Sequence, residues 1–61
     1  MNDSERAKVR SIIRNTEKQI EKELDFREFG ATTDLDFKIS DARLAGMKKE
    51  KTMLEEILNN E

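Results

Sequence analysis

Val9, Ile13, Thr16, Ile20 and Leu24 recur along the first half of the chain in steps of four and three, with Ile12 on their shoulder. Residues three and four apart share one side of an α-helix, so this spacing predicts an amphipathic helix with a narrow apolar stripe. Asn2, followed by Glu5, reads as a capping box variant, and Gly30 stands where a left-handed helix terminator belongs. Helix 1 is therefore expected over about residues 3–29, followed by a short turn at 30–33 that contains Ala31, Thr32 and Thr33.

The second half is more informative, because one stretch holds two apolar seams. Leu35, Ile39, Ala42, Gly46, Lys49, Met53 and Glu56 or Ile57 form one heptad row, with steps alternating between four and three. Phe37, Ser40, Leu44, Met47, Lys51, Leu54 and Leu58 form a second, displaced by roughly 150° around the helix. Helix 2 is expected over about 34–59, with Thr33 or Asp34 at its cap and Asp34 and Asp36 against its positive end. A rival reading applies to residues 33–39, where Thr33, Leu35, Phe37 and Ile39 alternate with Asp34, Asp36 and Lys38 as in a strand. Aspartate is a poor strand residue and both seams already run through this stretch, so helix is preferred.

Two seams on one helix cannot both be covered by a single partner helix. If one faces helix 1, the other exposes a long apolar strip unless a further chain covers it. We expect Phe37, Leu44, Met47, Leu54 and Leu58 to form that oligomer interface. Burying these side chains contributes about 1.5–3 kcal/mol each before opposing losses, which is comparable with the whole stability of so small a domain. The expected fold is all-α, a single domain over residues 1–61: an antiparallel, coiled-coil-like hairpin assembling into a four-helix bundle or a higher helical oligomer. A two-fold dimer is the simplest closed solution. Ala42, Ala45 and Gly46 leave a low spot for close approach of another helix.

Composition strengthens this picture. The 61 residues contain neither cysteine nor histidine, so no disulfide, Cys/His zinc site, thiolate chemistry or histidine proton shuttle is available. With 43% charged residues and no proline, the chain has the composition of long helices, and its periodic apolar positions argue against disorder. No apolar run approaches membrane-spanning length, Met1-Asn2-Asp3 begins no signal core, and no glycine follows Met1 for myristoylation. We therefore expect no membrane association and a cytoplasmic location, in the host's cytoplasm for a phage- or plasmid-encoded chain.

The net charge of −2 gives no global pull toward nucleic acid, but the charges are uneven. Arg6, Arg10, Arg14, Lys18 and Lys22 repeat every four residues and form a slanting basic ridge that could track phosphates. Glu17, Glu21 and Asp25 form a neighbouring acidic row that can neutralise it, and no aromatic is interleaved for base stacking. At the other end, Phe26, Glu28, Phe29, Asp34 and Asp36 make an acidic, phenylalanine-bearing tip, a shape suited to a cleft on a larger protein. Asp34-Leu35-Asp36 lacks the third oxygen ligand, the glycine and the terminal glutamate of a calcium loop, so neither metal nor cofactor is expected.

No residue set specifies a reaction. The reading that follows is a non-enzymatic interaction or regulatory protein, such as an inhibitor, that binds itself and modulates another protein. One alternative is a nucleic-acid-binding bundle that uses the basic ridge. Another is an oligomeric sponge for a small, nucleotide-like ligand, with pockets between protomers lined by the ridge and Thr32 or Thr33.

Overall fold

The computed structural model describes residues 1–60; residue 61, included above in the single domain, lies outside the described residues. The fold is all-α: α1 runs Asp3–Phe29 and α2 runs Asp34–Asn59, packed against each other as a hairpin. The Cα trace extends over 46 × 16 × 10 Å. Among the described residues, no helix is long and apolar enough to cross a membrane.

Both helices start from reciprocal caps. Asn2 Oδ1 accepts from the Glu5 amide at 2.8 Å, and the Asn2 amide donates to Glu5 Oε1 at 3.1 Å. Thr33 plays the same part for α2, its hydroxyl accepting from the Asp36 amide at 3.1 Å. Asp36 Oδ2 in turn accepts from the amides of Thr32 and Thr33 at 3.1 and 3.2 Å. This cap settles the rival reading of 33–39, because α2 is helical from Asp34 onward.

The end of α1 differs from expectation. Gly30 has φ −120° and ψ −25°, outside the left-handed region. The amides of Gly30 and Ala31 both donate to the Phe26 carbonyl, at 2.8 and 2.7 Å, and these bonds close the helix. Glycine also leaves space: a Cβ on residue 30 would lie 3.0 Å from Phe26 Cδ1, so that ring would have to give by a few tenths of an ångström.

The interhelical seam on α1 is Val9, Ile13, Thr16, Ile20, Glu23 and Arg27, all buried or half-buried. Leu24, expected on this stripe, is 48% exposed, because the coiled-coil step from Ile20 is three residues and lands on Glu23. On α2 the inward seam is Ser40, Leu44, Met47, Lys51, Leu54 and Leu58. The seam expected to meet another chain is thus the one turned toward α1, although its Phe37 is 37% exposed. Leu44 is buried, and Met47, Leu54 and Leu58 are half-buried, against α1 in the same chain, while Leu35, Ile39, Met53 and Ile57 of the other seam face outward.

Ion pairs flank the inward seam. Arg27 pairs with Asp41, Arg43 with Glu23 at 3.5 Å, and Lys51 with Glu17 at 3.9 Å, so complementary charges flank the inward seam on both helices. Arg27 also lies over the Phe37 ring, 5.4 Å from its centroid. Thr16 and Ser40, at 3% and 0% exposure, are small enough to let the backbones approach.

Candidate functional site

Three surfaces come forward: the outer face of α2, the tip and the basic ridge. The outer face is the most apolar. Leu35, Ile39, Ala42, Gly46, Met53 and Ile57 are all exposed and, at about 100° per residue, lie within about 40° of a line through Gly46. A Cβ added to Gly46 would meet nothing within 4 Å, so nothing inside the hairpin requires glycine there. The small residue therefore keeps a shallow gap on this face rather than relieving an internal contact.

Beside this face lies a groove between the helices of about 590 Å³, whose walls include Gln19, Lys22, Glu23 and Phe26 from α1 and Ala42, Arg43, Gly46 and Met47 from α2. Glu23 is the unusual member. It is 8% exposed; Arg43 Nη1 donates to its Oε1, but among the described residues its buried Oε2 has no hydrogen-bond partner. Only the hydrophobic seam was legible in the sequence at this point. The signal for Glu23 was the seven-residue register, which reaches 23 from Thr16.

At the tip the candidate residues divide by role. Phe29 is 80% exposed and Glu28 and Asp34 are also exposed, so these three are presented outward. Phe26 instead packs its ring near Gly30 and forms part of the groove wall. Asp36 is occupied in capping α2. Hydrogen bonds from the Thr32 and Thr33 amides hold its carboxyl below the ordinary value, aided by the Thr33 and Thr32 hydroxyls. The same bonds occupy Thr32 and Thr33, the threonines considered for a ligand pocket.

The basic ridge does not form a flat track. A step of four residues advances about 40° around a helix, so the row from Arg6 to Lys22 winds through roughly 160°. Arg6 sits 3.6 Å from Asp3, while Lys22, at the far end, borders the groove. Among the described residues, no three acidic side chains are grouped to hold a metal ion.

Fold and surfaces together define the class: a highly charged two-helix hairpin with one apolar outer face. No family model, curated protein or solved structure matches the chain.

Proposed function

We propose that the chain is a non-enzymatic, cytoplasmic interaction protein that associates with itself, most simply as a dimer forming a four-helix assembly, and that binds and modulates another protein through its tip. The observation behind this reading is the imbalance of apolar surface. Ile13 and Leu44 are the buried apolar side chains, whereas Leu35, Ile39, Met53, Ile57 and Phe29 are between 41% and 80% exposed. A contiguous apolar strip on a monomer of this size calls for a cover, and the outer face of α2 now supplies the interface that the sequence assigned to the Phe37–Leu58 seam.

Self-association uses the side of α2, which leaves the tip accessible. Phe29, flanked by Glu28 and Asp34, offers an aromatic anchor with an acidic rim, a combination suited to a basic, apolar-floored cleft. The test is affinity capture from the source cells with the wild-type chain and with Glu28→Lys combined with Phe29→Ala. These changes spare the Asp36 cap, and a lysine is favourable in the last turn of α1. Captured partner should fall at least tenfold with helicity unchanged; undiminished capture would place the partner surface elsewhere.

A further inference from the structure

Counted outward from Gly46, the outer face of α2 is nearly palindromic: Ile39 and Met53 stand seven residues away on either side, and Leu35 and Ile57 stand eleven away. From this symmetry we infer that a second copy of this chain docks on the face, with the two α2 helices antiparallel and crossing at Gly46. The inference rests on the self-association proposed above and supplies its geometry.

An isologous contact brings residue 46−n of one copy to the axial level of residue 46+n of the other, and the two touch where both lie close to the line through Gly46. Ile39 then meets Met53 of the second copy and Leu35 meets its Ile57, so apolar groups face apolar groups at both ends. At the centre each Gly46 faces the other. The open space at its Cβ position, with no internal reason for a glycine, is what a close helix crossing uses.

Two charge pairs also match. At about 100° per residue, Arg43 and Glu50 lie on the same flank of the face, about 60° and 40° from the line through Gly46. The two-fold operation keeps flanks together, so Arg43 comes beside Glu50 of the second copy. Arg43 is 60% exposed in its side chain while Nη1 reaches Glu23, so its outer edge is available. Lys38 and Glu56 share the opposite flank, about 80° from the line, and become cross-copy neighbours in the same way. Each pair occurs twice by symmetry.

Crosslinking tests this geometry directly, since the chain contains no cysteine. Under mild oxidation Gly46→Cys should link copies nearly completely. Ile39→Cys alone should not, because its two positions lie about 21 Å apart along the helices, beyond disulfide reach. Ile39→Cys with Met53→Cys should link again. Lys38→Glu and Glu56→Lys should each weaken dimerisation about threefold to tenfold, and the double variant should restore it. All these positions are exposed in the hairpin, and circular dichroism checks that it stays folded. A dimer that Ile39→Cys with Met53→Cys fails to link, or that Ile39→Cys links alone, overturns the antiparallel crossing and leaves self-association standing. A wild-type chain that sediments as a monomer overturns both.

Discussion

Ser40 has no exposed surface, and among the described residues its hydroxyl lacks a hydrogen-bond partner. A buried hydroxyl in that position costs stability, while the small volume of serine is what lets α2 approach α1. Ser40→Ala keeps the volume and removes the cost, so thermal denaturation should show stabilisation of about 1 kcal/mol; destabilisation would mean that the hydroxyl is bonded. Asp36 behaves in the opposite sense. Its carboxyl titrates lower in the hairpin than its ordinary 3.8, so its contribution is fully present above that value and is lost as pH falls through the lower folded value. Wild-type stability should therefore decline in acid below about pH 4, and Asp36→Asn should flatten that part of the profile. An unchanged acid limb would show that other carboxylates dominate it.

The two helices show how far the sequence alone could be read. Their starts were legible because caps are local: Asn2 with Glu5 starts α1, and Thr33, one of two cap candidates, starts α2. The presence of two seams on α2 was legible from spacing. Which seam turns inward was not, because both satisfy the same alternation of three and four. The inward choice brings together side chains distant in sequence, as the pairs Arg27–Asp41, Arg43–Glu23 and Lys51–Glu17 show, and spacing along one helix does not carry that information. Glu23 was missed for a related reason: hydrophobicity points to Leu24, whereas the interhelical register points one residue earlier. At the tip, spacing gathered five residues, of which the fold presents Phe29 outward and draws Asp36 into the α2 cap. The resulting asymmetry of α2 is testable. Leu44→Asp places an unpaired charge in the interhelical seam and should unfold the hairpin. Ile39→Asp, on the outer face, should leave the hairpin formed while abolishing self-association, as read by circular dichroism and light scattering together. Identical behaviour of the two variants would contradict the division into inner and outer seams.

As a whole molecule, the chain is an elongated hairpin whose buried apolar side chains among the described residues are Ile13 and Leu44, with polar Thr16, Ser40 and Glu23 buried along the same seam. Domains of this size rarely draw more than about 3–5 kcal/mol from their own core, and cysteine-based staples are absent here. A second copy covering the α2 face joins folding to association, so stability should rise with concentration. Sedimentation equilibrium on the wild-type chain across about 1–100 µM, with helicity followed on the same samples, addresses this most directly. The account predicts a mass near twice the 7.1 kDa of one chain at the upper end. A fully helical species that holds the single-chain mass across the whole range, with no partner present, would contradict it.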